Sequence, residues 1–360
     1  MSERRPDGTR VADYDYALPP HLVAQYPAAR REEARLLTLR ADGSLQHGRV
    51  PDLVDRTAAG DVLVVNESAV FPARLLGRKP TGAHVEVLLV RPAAEGRFGS
   101  ATLWEALVRP GGKLKPGRTV VVSPELEVEI VDTLPSGSRV VRLDSHLPVD
   151  EALERYGHVP LPPYIDREDE AVDRERYQTV YARTPGSVAA PTAGLHLTEE
   201  LLARLEARGV RLAAVTLHVG VGTFRPVEAD DPADHEMHDE WYSVSDEAVR
   251  VIEEAREGGG RVWAVGTTAV RTLESAAEAS GRLTAGSGET RLFVRPPHDF
   301  RVVDGLLTNF HLPRSTLLML VAALAGYERA MGAYRAAVEG EYRFYSYGDA
   351  MLIEPGASLR

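Results

Sequence analysis

The sequence contains no cysteine, and that one absence removes several chemistries together. A disulfide scaffold, a thiolate nucleophile, a Cys-ligated zinc and an iron–sulfur cluster all need sulfur ligands that this chain does not have. Long apolar runs are missing as well. The longest wholly apolar stretch, Leu317 to Ala325, is under half of the ~20 residues a membrane helix requires. The opening MSERRPDGTR lacks the apolar centre of a signal peptide. A cytoplasmic location is therefore expected, with no membrane partner. No fixed-period repeat is visible, which argues against solenoids and propellers. What is present is ordinary for a folded protein: 360 residues, 44% hydrophobic and 26% charged. At about 100–200 residues per domain, that length implies roughly two domains, each able to bury its own core.

A net positive charge is also lacking. Forty-two Lys and Arg against 53 Asp and Glu leave a formal charge of −11, which argues against generic nucleic-acid binding. The charge is unevenly spread. Between Phe71 and Arg118 stand nine basic residues (Arg74, Arg78, Lys79, Arg91, Arg97, Arg109, Lys113, Lys115, Arg118) and three acids (Glu86, Glu95, Glu105), a local charge of +6. Between Glu228 and Glu257 twelve acids face only Arg250 and Arg256.

Pattern divides the chain in the same places. From about 61 to 143, short β-rich runs (DVLVVN, HVEVLLVR, ATLWEALVR, RTVVV, LEVEIVD, RVVRL) alternate with Gly/Pro turns such as RPGGKLKPG, the mark of a small barrel or sandwich. From about 195 onward helix and strand patterns alternate: TEELLARLEARG, RLAAVTLHV, SDEAVRVIEEAREGG, RVWAVG, TTAVRTLESAAEAS, ETRLFV, then the helices RSTLLMLVAALAG and YERAMGAYRAAVEG. The expected fold class is α/β, in the mixed α+β sense: a layered main domain with a largely parallel sheet and an inserted small β-barrel. The expected boundaries are 1–70 with 150–360 for the main domain, which carries the substrate site, and 71–149 for the basic barrel.

Five of the eleven histidines lie beside Gly, Pro or Thr at predicted strand ends or helix starts: His196, His218, His235, His238 and His311. In α/β sheets, ligands bind outside the carboxyl ends of strands, where small residues let them approach the backbone. The stretch PGSVAAPTAGLHL, with Thr192, Gly194 and the predicted N-cap Thr198, suits an anion at a helix start. So does strand–Gly266–Thr267–Thr268–helix, where Arg271 adds a possible carboxylate clamp with Glu274 beside it. His235, Glu236, His238 and Glu240 could hold a metal, but their spacing is not that of a zincin helix; acid–base work is the alternative. Gly220 and Gly222 begin a G-x-G that Arg225 breaks, and no P-loop or nucleophile elbow occurs.

Together these stretches resemble the S-adenosylmethionine:tRNA ribosyltransferase-isomerases of queuosine biosynthesis. The resemblance is carried by YDYALPPHLVAQYP (14–27), GDVLVVNES with PARLLGRK (60–79), GHVPLPPYI (157–165), RYQTVYA (176–182), GSVAAPTAGLHLT (186–198), TLHVGVGTFRPV (216–227), HEMHDE (235–240), GTTAVRTLES (266–275), VDGLLTNFHLPRSTLLMLVAALAG (303–326) and YRFYSYGDAMLI (342–353). It implies transfer and isomerisation of the ribosyl part of S-adenosylmethionine onto 7-aminomethyl-7-deazaguanine at the tRNA wobble position. The products would be epoxyqueuosine-tRNA, adenine and methionine. No prosthetic group is implied: S-adenosylmethionine is the ribosyl donor, the partner is tRNA carrying the modified base, and a monomer is favoured.

Within that resemblance His196, His218, His235 and His238 are the acid or base candidates, with Glu236 and Glu240 orienting them or facing the sulfonium. Thr267, Thr268 and Arg271 would clamp the methionine carboxylate. Thr192, Gly194, Gly220, Gly222, Thr223 and Glu274 complete the expected substrate-binding set, with Asn309 and His311 reading a ring edge. Arg74, Arg78, Lys79, Lys113 and Lys115 would meet tRNA phosphates, and no metal is expected. The chain departs from the family pattern at Ala34, Ala69, Leu197 and Pro297–His298. A non-catalytic or altered-substrate tRNA-binding paralogue and a histidine-based metal-dependent hydrolase are the competing readings.

Overall fold

A computed structural model describes residues 6–93, 102–220 and 227–357, apart from the Lys113 side chain. In chain order the strands before the barrel are β1 (Arg35–Leu39), β2 (Leu45–Arg49), β3 (Val62–Asn66) and β4 (Ser68–Val70). The barrel strands are β5 (Arg74–Arg78), β6 (His84–Pro92), β7 (Leu103–Arg109), β8 (Thr119–Ser123), β9 (Leu126–Thr133) and β10 (Arg139–Ser145). After them come β11 (Thr184–Ser187), β12 (Arg211–Leu217), β13 (Glu240–Val244), β14 (Val262–Val265), β15 (Gly286–Thr290), β16 (Gly305–Asn309) and β17 (Ala350–Ile353). The helices are α1 (Leu53–Arg56), α2 (Val149–Tyr156), α3 (Ala171–Arg176), α4 (Glu199–Ala207), α5 (Asp246–Glu257), α6 (Thr267–Glu278), α7 (Thr316–Ala325) and α8 (Tyr327–Glu339).

Nine strands form one sheet in the order β15-β13-β12-β3-β14-β16-β17-β1-β2. The expected parallel arrangement holds at its centre, where β12, β3, β14 and β16 run together. Its margins are mixed: β17 is antiparallel to β16 and parallel to β1, while β13, β15 and β2 add antiparallel edges. Both faces are covered, and the run VLVV of β3 shows why it is continuously apolar. Val62 and Val64 pack with α5 to α8 on one face, whereas Leu63 and Val65 pack with α4 on the other. A strand buried on both sides has no place for the polar alternation of a half-exposed one. DVLVVN therefore belongs to the large sheet rather than to the β-rich run that follows it. ETRLFV also differs from expectation, since only Glu289 and Thr290 of it pair in β15. The Thr290 hydroxyl accepts the Leu292 N–H (3.0 Å), and the Leu292 carbonyl accepts from Arg271 Nε (3.0 Å), which turns the chain out of the sheet.

Strands β5 to β10 close a six-stranded barrel in the order β10-β7-β6-β5-β8-β9. Its core is separate from that of the sheet: Leu75, Val85, Val87, Leu89, Trp104, Ala106, Val128, Ile130, Val141 and Leu143 point inward, and Ala152 and Leu153 of α2 close one side. Inward residues recur at every second position, as a pleated strand requires. Across the gap to the sheet, Arg91 of β6 reaches Glu289 of β15 at 3.6 Å.

Helices α4, α5 and α7 begin where a side chain accepts one of their free N–H groups. Thr198 accepts from Leu201 (3.1 Å), Ser245 from Ala248 (3.1 Å) and Ser315 from Leu318 (3.2 Å). Glu274 of α6 does a related task for the segment entering β16. Its buried carboxylate accepts the N–H groups of Arg301 (2.9 Å), Val302 (3.1 Å) and Val303 (3.0 Å). Burial alone would raise its pKa, but His298 and these three donors outweigh it and hold the group below the ordinary glutamate value. Among the described residues, no helix is long and apolar enough to cross a membrane.

Two stability predictions follow from this packing. Trp104 is fully buried against Phe71 in the barrel, so Trp104→Ala is expected to cost about 3–5 kcal/mol, read by urea unfolding. Glu274→Gln is expected to destabilise the protein by roughly 1–3 kcal/mol at pH 7. Because the folded carboxyl is the stronger acid, its contribution is full above the unfolded pKa and is lost as pH falls through the lower folded value. Unfolding curves of the two proteins should therefore converge below about pH 4, and a gap independent of pH would contradict the charged role.

Candidate active site

The carboxyl ends of β14 and β16 open onto a cleft. Ala189 to Ala193 form one wall, Gly266 to Thr268 the floor, and Thr308 to Leu312 with Tyr164, Tyr345 and Ser346 the opposite wall. This is where a parallel block leaves backbone groups unpaired, and β16 sits at the reversal between a parallel and an antiparallel neighbour.

Asn309 ends β16 and is almost completely buried. Its Nδ2 donates to the Tyr345 carbonyl (3.2 Å) and lies 3.1 Å from His196 Nε2. Since a carbonyl can only accept, the amide orientation is set by Tyr345, and His196 Nε2 is then the acceptor of the second contact. Asn309 Oδ1 is left without a partner among the described residues. An orphaned acceptor on a cleft wall is costly unless a ligand or water supplies a donor.

Across the cleft, Gly266 carries φ +87° and caps α6. That left-handed conformation favours glycine, and it brings the backbone of Thr267 and Thr268 to the surface of the cleft. The first-turn N–H groups of a helix have no partner within it and carry the positive end of its dipole. Thr268 Oγ1 adds a buried hydroxyl oxygen with no hydrogen-bond partner among the described residues. The floor therefore offers donors to an anion, while the Asn309 wall offers an acceptor to an N–H group.

Aromatic rings complete the cleft, and reading the sequence missed them. Tyr164 and Tyr345 pack at 4.5 Å between centroids, and the Tyr164 hydroxyl meets Ser346 Oγ at 2.6 Å. Tyr345 holds φ +72°, an unusual conformation for a tyrosine, at the point where its carbonyl receives Asn309. The dense aromatic content of YRFYSYGDA was the available signal.

The proposed residues divide into groups. Thr192, Thr267, Thr268, Asn309 and His311 line one cleft. His196 stands behind Asn309, and Gly194 packs beneath it with no room for a side chain, since a Cβ there would fall 2.0 Å from the Tyr181 hydroxyl. His311 Nε2 meets Thr308 Oγ1 at 2.8 Å, and Tyr16 donates to the His311 carbonyl. His218 stacks on Trp241, 5.0 Å between centroids, next to the cleft residue Val219. Burial holds all three imidazoles neutral. The pKa of His196 falls to about 4 with help from Arg343 and Arg31, that of His218 to about 4 and that of His311 to about 3.

A second cluster joins Arg271, Glu240 and Gly220. Arg271 pairs with the buried Glu240 carboxylate, whose other oxygen accepts the Gly220 N–H (2.9 Å). Arg271 thus stands one turn below the cleft floor rather than in it. Glu274 faces the loop described above. His235 packs edge-on against Phe293, and burial and the neighbouring His238 lower its pKa; Glu236 and His238 are exposed. Among the described residues, no three metal-capable side chains converge.

On the barrel, Arg74 pairs with Glu86 (3.2 Å), Arg78 donates to the Gly82 carbonyl (3.1 Å) on the same hairpin as Lys79, and Lys115 is exposed. Gly222, Thr223 and the Lys113 side chain lie outside the described residues. Of the departures from the family pattern, Leu197 is buried in the core beneath β1 and β3, Ala69 pairs with Pro185 in β4, and His298 stands 3.9 Å from Glu274.

Comparison with known proteins agrees along nearly the whole length. The family model described as queuosine biosynthesis protein matches residues 11–353. An S-adenosylmethionine:tRNA ribosyltransferase-isomerase of Thermus thermophilus is 54% identical, over 94% of this chain and 98% of its own. One of Syntrophomonas wolfei is 49% identical, over 98% and 99%. A solved structure, S-adenosylmethionine tRNA ribosyltransferase from Thermotoga maritima, is 38% identical with a TM-score of 0.53, covering 94% of this chain and 99% of that one. The chain belongs to the queuosine biosynthesis protein family and is an enzyme of its transferase and isomerase class.

Proposed function

We propose that the cleft at the ends of β14 and β16 binds S-adenosylmethionine and transfers its ribosyl group, with isomerisation, to the aminomethyl group of 7-aminomethyl-7-deazaguanine in the wobble position of tRNA. Epoxyqueuosine-tRNA, adenine and methionine leave. The observation that carries the reading is a single cleft lined both by Asn309, whose buried Oδ1 has no partner among the described residues, and by the first turn of α6. A methionine carboxylate suits the Thr267 and Thr268 N–H groups, as anions suit helix N-termini. An amino group, on adenine or on the aminomethyl acceptor, suits Asn309 Oδ1. The rings of Tyr164 and Tyr345 suit a purine face or a sulfonium cation.

The reaction needs a base beside the sulfonium and an acid at the departing adenine. His196, His218, His235 and His238 remain the residues for those roles, with Glu236 and Glu240 as orienting or sulfonium-facing groups, and His311 joins Asn309 at the ring edge. Arg271 acts on the clamp from beneath, through α6. Arg74, Arg78, Lys79, Lys113 and Lys115, in the sequence of the basic barrel (residues 71–149), are the proposed contacts for tRNA phosphates. The local charge of +6 between Phe71 and Arg118 reconciles an acidic chain with an RNA substrate, because phosphate contacts supply most of the sequence-independent affinity.

The test is adenine release, followed by chromatography, from chelator-treated protein given S-adenosylmethionine and tRNA bearing 7-aminomethyl-7-deazaguanine. Adenine should appear in step with the modified nucleoside. Its absence, with both substrates shown to bind, would leave a tRNA-binding paralogue. In the same assay Asn309→Leu is expected to lower kcat/KM by about 30- to 200-fold, the loss of a buried hydrogen bond worth roughly 2–3 kcal/mol.

A pH profile gives an independent check on the histidines. His196, His218 and His311 all titrate at about 3 to 4. If one of them is the base, the acid limb of kcat/KM falls near pH 4 instead of near the ordinary imidazole value. An acid limb near the ordinary imidazole value would remove these three from the role of base.

A further inference from the structure

On the far side of the His196–Asn309 pair lies a second, smaller cavity. It is lined by Ala28, Arg31, Ala34, Arg176, His196 and Gly348, and it shares Ser346 with the main cleft. The arginines around it are held in an unusual way. Arg31 donates from Nη1 to the Leu195 carbonyl (3.1 Å) and from Nη2 to those of Gln178 (2.8 Å) and Glu175 (3.0 Å). Arg176 donates to the carbonyls of Ala28 (2.8 Å) and Ala29 (3.1 Å), and Arg343 to that of Tyr26 (3.2 Å).

Carbonyl oxygens fix a guanidinium in place without neutralising it. None of these three arginines forms an ion pair among the described residues, whereas their neighbours Arg30 and Arg167 pair with Glu32 and Asp173. Of the buried carboxylates nearby, Asp173 is taken by Arg167 and the Tyr347 hydroxyl, and Asp349 accepts the main-chain N–H groups of Arg35 (2.9 Å) and Arg343 (2.8 Å) instead of meeting a guanidinium. Arg176 Nε is buried and has no partner among the described residues. Arg31 and Arg176 lie close enough that burial and the Arg176 charge together hold Arg31 below the ordinary arginine range. Half-buried like charges, pre-oriented and unpaired, are unfavourable until an anion joins them. Guanidinium groups match the oxygens of a phosphate in particular.

We propose that this cavity is a phosphate-binding site of the main domain, lined by Arg31 and Arg176, with Arg343 outside the lining on the segment that supplies its wall of Ser346, Tyr347 and Gly348, and distinct from both the main cleft and the barrel surface. The phosphate comes either from a nucleic-acid backbone, which rests on the tRNA reading above, or from free phosphate in solution. A backbone phosphate seated there would anchor RNA immediately behind the Asn309 wall, where the barrel residues do not reach.

The experiment compares wild type with Arg176→Gln and Arg343→Gln, each checked for folding by circular dichroism; Arg31 is left intact because it ties three carbonyls. Affinity for the tRNA is measured across a potassium chloride series, and thermal unfolding is measured with inorganic phosphate against chloride at equal ionic strength. For a backbone phosphate, the slope of log affinity on log salt becomes shallower by about 0.7–0.9 per lost contact. For a free phosphate, that slope is unchanged, but phosphate raises the wild-type Tm and does so less in both variants. If neither the slope nor the phosphate-dependent Tm differs from wild type, the proposal is overturned. Should Arg176→Gln fail to fold, Arg343→Gln alone decides between these results. Adenine release by wild type in the same preparation is read separately, so a failure of the transferase reading is not mistaken for a failure of this site.

Discussion

The arrangement of the site depends on one side-chain amide at the end of one strand. Asn309 closes β16, and its Nδ2 joins the Tyr345 carbonyl and His196 Nε2. Three segments far apart in sequence, near 196, 309 and 345, are thereby held around a single cleft. The strand can carry that residue because it stands where the sheet changes direction. Parallel β14 feeds α6 on one side, and antiparallel β17 returns the aromatic segment 342–349 on the other. The first turn of α6 and Asn309, with its unpaired acceptor, line the same cleft, a pairing suited to a ligand with an anion at one end and an N–H group at another.

Charge is distributed by the same logic of separation. Some of the acids between 228 and 257 are paired locally: Glu240 with Arg271, Glu247 and Glu254 with Arg250, Asp239 with Arg291. Among the described residues, Arg31 and Arg176 at the small cavity behind His196 have no such partners.

Much of this was legible in the sequence, and the misses have physical causes. Helices α4 to α8 declared themselves through periodicity, and α4 also through the expected N-cap Thr198. The β-rich run foretold a barrel, but DVLVVN could not reveal that its partners are β12 and β14, because an apolar run buried on both faces looks alike in either setting. GLLTN and AMLI, the strands β16 and β17, are too short to show any period. EWYSV, the strand β13, was hidden inside an acidic run.

The site followed the same division. Thr192, Thr267, Thr268, Asn309 and His311 could be picked out because small and polar residues at strand ends carry a recognisable logic. Tyr164 and Tyr345 could not, since a buried tyrosine reads as core until its neighbours are known. Arg271 and Glu240 were singled out separately, and only the fold reveals that they pair with each other. The arginines in and beside the small cavity come from segments 31, 176 and 343, which no local pattern connects.

The central claim is that the cleft at the ends of β14 and β16 holds S-adenosylmethionine. A crystal structure of the protein with that ligand tests it most directly. The account predicts the methionine carboxylate within hydrogen-bond distance of the Thr267 or Thr268 N–H and a ligand N–H on Asn309 Oδ1. Ordered S-adenosylmethionine bound elsewhere on the chain, with this cleft filled only by solvent, would contradict it.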